Sequence, residues 1–155
     1  METKMPSARL KQSRGQGKLG GYSVEKLRAD LEAVSKVYEE VQARRERDAI
    51  YEYWIAVYRL RRRWRRLKKN EGVDIKKIAK EIAPGWVSQP GADDALRFII
   101  HQTMATSAKS PAARTKFNKL RSKYLYLLNF AYKRKIETSK LEKFIRDHGG
   151  LNFKP

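Results

Sequence analysis

Residues 24–70 read VEKLRADLEAVSKVYEEVQARRERDAIYEYWIAVYRLRRRWRRLKKN. Apolar side chains fall at Val24, Leu27, Leu31, Val34, Tyr38 and Val41. The alternating steps of three and four residues are those of a coiled-coil seam. The seam meets Arg45 and Asp48, breaks, and resumes out of phase at Ile50, Trp54, Val57, Leu60, Trp64 and Leu67. Ser23 is a suitable N-cap, and no Gly or Pro follows before Gly72. One unbroken helix over 24–69 would be about 70 Å long at 1.5 Å per residue, longer than a globule of this mass is wide. The pattern therefore predicts a bend or a break near Ala43–Asp48, or else a protruding coiled-coil arm that self-associates into a homo-oligomer.

Working outward, Gly72 stops this region and Asp74 caps a short helix with Ile75, Ile78, Ala79 and Ile82 on one face. Pro84-Gly85 ends it, and residues 84–92 read as a loop. Asp93 and Asp94 open a further helix, at the end where the backbone dipole favours acids, with a stripe of Leu96, Ile99, Ile100, Thr103 and Met104. Ser110-Pro111 is an N-cap followed by proline at the first helical position. Phe117, Leu120, Tyr124, Leu127, Leu128 and Ala131 then form a stripe, and Ser139 to Glu142 has the spacing of a capping box. The last helix buries Leu141, Phe144 and Ile145 and ends at Gly149-Gly150. No segment alternates as a strand does. The expected fold is all-α with five to six helices: a long N-terminal basic, coiled-coil-like helix region over 23–70 and a helical C-terminal unit over 73–150 that closes in a helical hairpin. Residues 1–22, with four Gly and scattered basics, read as a flexible basic arm, and residues 23–155 as one domain. A weak internal likeness relates 58–85 to 120–150: each is a basic helix followed by a short one, and Lys77–Ile82 aligns with Lys140–Ile145.

Composition limits the function classes. The chain has 155 residues, no cysteine, and 36 Lys and Arg against 17 Asp and Glu, a formal charge of +19. Cysteine-based zinc fingers, iron–sulfur clusters, disulfide scaffolds and cysteine nucleophiles drop out. No apolar run is long enough to span a bilayer, and residues 1–21 lack the apolar core of a secretory signal. A cytoplasmic location, beside a nucleoid or within a ribonucleoprotein, is the expectation. Such basicity points to a polyanionic partner, nucleic acid before membrane.

The charge is concentrated. Residues 53–69 carry eight basic side chains and no acidic one, residues 111–155 carry twelve against three, and residues 70–110 balance at five each. In Tyr58–Lys69 the cations Arg59, Arg61, Arg62, Arg63, Arg65, Arg66, Lys68 and Lys69 surround a face of Leu60, Trp64 and Leu67. No acid inside the segment relieves their repulsion, so an anionic partner is the natural compensation. Most are Arg, whose planar fork suits phosphate oxygens. The competing readings are a face neutralised by a neighbouring helix through Glu39, Glu40, Glu46 and Asp48, and an interfacial helix anchored by Trp54 and Trp64. The second block, Arg114, Lys116, Lys119, Arg121 and Lys123, followed by Lys133, Arg134 and Lys135, places two clusters at opposite ends of one helix. Tyr126 and Tyr132 lie at the edge of its stripe, as base-stacking or boundary residues.

Catalytic signals are poor. His101 and His148 have no His or Glu at metal-binding spacing, adjacent Asp93 and Asp94 fit helix capping better than paired acid–base work, and no phosphate-binding loop, dinucleotide fingerprint or nucleophile elbow is present. No catalytic, metal or cofactor residue and no small-molecule substrate is expected. The helix-turn-helix reading of 75–104 fits loosely, since its loop is long. The sequence thus predicts a non-enzymatic nucleic-acid-binding protein, a DNA-binding factor of bacterial, plasmid or phage type, with DNA favoured over RNA. The alternatives are a structural RNA-binding subunit of a ribonucleoprotein and a coiled-coil protein with an acidic partner.

Overall fold

The computed structural model describes residues 24–87, 93–104 and 109–152. Within them the chain forms six α-helices and three short 3-10 turns, with no strand among the described residues. The helices are α1 (Val24–Arg44), α2 (Ile50–Glu71), α3 (Ile75–Ile82), α4 (Asp94–Thr103), α5 (Pro111–Lys133) and α6 (Leu141–Asp147). The expected N-terminal arm, the Ser23 cap and much of the loop after Gly85 lie outside the described residues.

The long N-terminal region is two helices, not one. The break falls where the two apolar patterns change phase: Arg45 turns into the left-handed region (φ 57°) and Arg47–Ala49 forms a 3-10 turn. α2 returns antiparallel to α1, since Arg44 pairs with Glu52 at one end and Arg63 with Asp30 at the other. The coiled-coil-like seam is consumed by this return. Leu27, Leu31, Val34, Tyr38 and Val41 are all buried within a single chain, packed on α2, α4 and α3. The residues that suggested self-association are thus internal core of one chain.

α2 is the hub. It touches α1, α4, α5 and α6 and buries Tyr53, Trp54, Val57, Tyr58 and Trp64 almost completely. Aromatic edges key the packing, Trp54 against Tyr51 and Tyr124 at 5.0 and 5.2 Å, and Tyr38 against Tyr53 at 5.0 Å. Edge-to-face pairs of this kind add roughly 0.5–1.5 kcal/mol each to the area they bury. The Thr103 hydroxyl donates to the Ile99 carbonyl at 2.7 Å, so it is the Tyr53 hydroxyl, 2.7 Å away, that donates to Thr103. Burial holds the Tyr53 and Tyr124 phenols well above their ordinary pKa.

The expected caps form at Asp74, Asp93 and Ser110, each side chain accepting from the backbone N–H three residues on. Gly72 adopts φ 67° and donates its N–H to the Lys68 carbonyl, ending α2 in a left-handed stop. α5 ends in the same way at a lysine: Lys135 has φ 57°, and Ile136 N–H reaches back to the Ala131 carbonyl. Two details differ from the sequence reading. Ser139 lies in a 3-10 turn (Thr138–Lys140) and does not cap, because α6 starts at Leu141 behind Lys140, and Glu142 pairs with Arg146 at 2.9 Å instead. Leu120 is 37% exposed; from Pro111 to Lys123 no side chain of α5 is fully buried, and its buried stripe starts at Tyr124. The hairpin of α5 and α6 does form, buried at Leu127, Leu128, Leu141 and Ile145, with Phe117 and Phe144 half-buried at its edges.

Candidate functional site

The basic segment of α2 divides by helical angle. Leu60 and Trp64 face the core with Leu67 at its border. Arg59, Arg62, Arg66 and Lys69 follow one another at steps of three, four and three residues, which puts them on one outward stripe. Arg61, Arg65 and Lys68 form a second stripe that borders a cleft towards α3. Arg63 alone turns to α1, where Asp30 meets it at 3.1 Å. Neutralisation by Glu39, Glu40, Glu46 and Asp48 does not occur, because the antiparallel return places those acids beside the opposite end of α2.

The internal partners sort the expected binding residues. Arg61 is mostly buried; its Nε donates to Asp93 at 2.9 and 3.2 Å, and its guanidinium covers the Tyr132 ring at 4.5 Å. On α5, Arg121 donates to His101 Nδ1 at 2.6 Å, the Lys123 ammonium donates to the Leu151 carbonyl at 2.8 Å, and Arg134 stacks on Phe130 at 3.8 Å. With Arg63, these residues have partners inside the fold, which leaves less of their charge for an outside anion. Arg59, Arg62, Arg65, Arg66, Lys68, Lys69, Arg114, Lys116, Lys119, Lys133 and Lys135 make no ion pair within the described residues and, except for half-buried Arg62, stand exposed.

The two expected blocks are brought together only in part. The Tyr58 hydroxyl donates to the Ile136 carbonyl at 2.6 Å, and burial pushes its pKa up to about 12. That bond, with Arg61 over Tyr132, seats Lys133 and Lys135 beside the first turn of the α2 stripe. Arg114, Lys116 and Lys119 lie at the other end of α5; from 119 to 133 the helix axis runs about 21 Å.

Facing α2 is a cationic row absent from the sequence reading. Lys76, Lys77 and Lys80 of α3 are exposed and line the cleft opposite Arg65 and Lys68. Charge counting hid them, since residues 70–110 are neutral in sum. The apolar spacing of Ile75, Ile78, Ala79 and Ile82 carried the signal, because it leaves the lysines on the opposite face. Trp86 was likewise missed. Arg97 holds it in place, with its guanidinium 4.0 Å over the indole, an ion pair to Asp94 at 3.8 Å and a hydrogen bond to the Val87 carbonyl.

No helix of the described residues is long and apolar enough to cross a membrane, and no group of His, Asp and Glu among them could hold a metal ion. His101 and His148 are engaged locally, His101 with Arg121 and the edge of Trp86, His148 through Nδ1 with the Phe144 carbonyl at 2.8 Å. The chain matches no protein-family model, no curated protein and no solved structure.

Proposed function

We propose that this protein is a non-enzymatic nucleic-acid-binding factor, DNA before RNA, that grips the phosphate backbone through α2. The observation that carries this reading is the outward stripe of Arg59, Arg62, Arg66 and Lys69. The fold supplies carboxylates to Arg61 and Arg63 on the same helix but, among the described residues, none to these four. A row of three guanidinium groups and one ammonium on a single helix face repels itself in water and is relieved by a polyanion. Lys133 and Lys135 extend the row across the Tyr58–Ile136 contact.

Salt dependence of binding tests the proposal. If six to eight cations meet phosphates, log K should fall against log salt with a slope of about −5 to −7 on duplex DNA. Changing Arg59, Arg62, Arg66 and Lys69 together to Gln should make that slope shallower by about 3–4 and leave the helical circular dichroism intact. A wild-type slope near −1 would remove the electrostatic grip, and unchanged binding by the fourfold variant would move it off α2. Running the same titration on RNA of equal length decides between the two nucleic acids.

A further inference from the structure

Beside the outward stripe lies a cleft of about 920 Å³ between the last turns of α2, the face of α3 and the start of α4. Its origin is in the connection. After Gly72 the chain does not fold α3 flat onto α2; α3 packs mainly on α1 and α4, and the space is left open. The rim is charged, and one accessible ring, Trp86, lies within it. Six cations and three carboxylates line the cleft. The carboxylates are committed: Asp74 caps α3, Asp93 caps α4 and pairs with Arg61, and Asp94 pairs with Arg97. Arg65 and Lys68 on one side and Lys76, Lys77 and Lys80 on the other are left to meet an anion. Between them lie half-buried Trp86 and Ile75, over Trp64, Phe98 and Ala79, which are almost wholly buried.

We infer that this cleft is a site for single-stranded nucleic acid, with the sugar–phosphate chain between the α2 and α3 cations and an unstacked base against Trp86. This inference rests on the nucleic-acid reading and adds to it a strand state and a location. A paired base keeps its faces inside the duplex stack and cannot enter a concavity, whereas an unpaired base presents a π-face that aromatic side chains bind with little regard to sequence. The size suits such a guest, since small-molecule pockets span roughly 300–1,000 Å³. The charge pattern does as well: cations on two facing helices would track a backbone, and the floor carries no free acid to repel it. The outward stripe remains the contact for any polyanion.

The test compares fluorescein-labelled (dT)12 with a 12-base-pair duplex by fluorescence anisotropy at low salt. Trp86→Leu preserves charge, so it separates stacking from electrostatics. It should weaken (dT)12 by about fivefold or more, the loss expected for one stacked base, and leave the duplex unchanged. Changing the exposed Lys76, Lys77 and Lys80 to Gln should weaken (dT)12 more than the duplex, while the Arg59, Arg62, Arg66 and Lys69 variant should weaken both. Photo-crosslinking of a 5-bromouracil-substituted strand to the unaltered protein gives a second measurement that no folding defect can distort. Adducts should map to residues 64–86, including Trp86. Poly-glutamate of matched charge should compete poorly, and equal competition would reduce the cleft to a general anion rim. Adducts confined to 111–123 or to the outward face of α2, together with unchanged affinity of Trp86→Leu, would overturn the cleft while salt-dependent binding left the α2 reading standing. If neither oligonucleotide binds the unaltered protein, the nucleic-acid reading falls first and the cleft falls with it.

Discussion

The two halves of the molecule run through the same sequence of parts and arrive at opposite ends. In each, a long basic helix stops at a left-handed residue, Gly72 after α2 and Lys135 after α5, an apolar residue turns inward, Val73 or Ile136, and a short helix follows. In the C-terminal half the short helix folds back. α6 packs on α5 and α2, and Phe130, Phe144 and His148 stack between α5 and α6, with Phe144 and His148 ring centroids 4.3 Å apart. In the first half the short helix swings away onto α1 and α4, and a cleft remains. The cations follow the packing. Arg121, Lys123 and Arg134 of α5 are bound to the protein's own groups, as is Arg146 of α6, which pairs with Glu142 and covers Tyr51 at 4.3 Å. Those of α2 and α3 that border the cleft or point outward mostly are not. A basic helix followed by a short one is therefore not a function by itself; what decides is whether the short helix closes over the charge.

The largest expected effect comes from the packing side of this comparison. Ile145 is 1% exposed at the closed interface, so Ile145→Ala should cost about 2–5 kcal/mol of stability. Ile75 stands at the wall of the open cleft and is only half-buried, so Ile75→Ala should cost about 1 kcal/mol or less. Urea denaturation of both variants measures the contrast. Equal losses would mean that α3 is as tightly seated as α6 and that the cleft is not an open feature of the fold.

The two stops provide a finer comparison. A Cβ added at Gly72 would meet nothing within 4 Å, so Gly72→Ala tests backbone conformation alone. A left-handed residue with a side chain costs about 1–2 kcal/mol, and Gly72→Ala should lose that much. Lys135 already bears such a cost, and Lys135→Gly should regain about 1 kcal/mol, reduced by the greater freedom of glycine in the unfolded chain. If Lys135→Gly destabilises instead, the lysine side chain has a local contact that outweighs its strained backbone.

Helix number, the Gly72 stop and the Asp74, Asp93 and Ser110 caps were legible in the sequence because each depends on neighbours within about four residues. The break between α1 and α2 was legible as a phase change but not as a chain reversal, since the same apolar spacing serves an internal partner or a second copy equally well. The sites were less legible. The charge density of 59–69 was plain, yet nothing local distinguishes Arg61, held by Asp93 thirty-two positions away, from Arg65, one turn further on. The lysines of α3 were hidden by a neutral segment sum, and Trp86 by its position in a Pro-Gly loop whose partner Arg97 lies on another helix. For Arg61 and Trp86 the missing information was a contact between elements; for the α3 lysines it lay in the apolar spacing that a segment charge sum ignores.

The smallest expected effect tests whether the charge on α5 has an internal task, and His101 reports it. Arg121 can only donate, so the His101 Nδ1 it meets at 2.6 Å accepts, and the imidazole is neutral with its proton on Nε2. Burial of the ring, followed by the positive charges of Arg121 and Arg97, brings the His101 pKa down to about 4. In the unfolded chain the ring titrates near its ordinary value of about 6.5. As pH falls through that value the unfolded chain takes up a proton that the folded chain refuses until about pH 4. Stability is thus fully present above about pH 6.5, declines between there and pH 4, and levels off below. Water at the exposed edge of the ring screens the effect, which should lower the melting temperature by about 2 °C across that window. His101→Gln keeps an acceptor for Arg121 but cannot be protonated, so the difference between the two melting curves isolates this group from the carboxylates that titrate in both. NMR titration of the ring in a His148→Gln background reads the same equilibrium directly. A His101 that titrates near 6.5 would mean that Arg121 is not held against it, and would return that arginine to the solvent-facing charge of α5, where a polyanion could reach it.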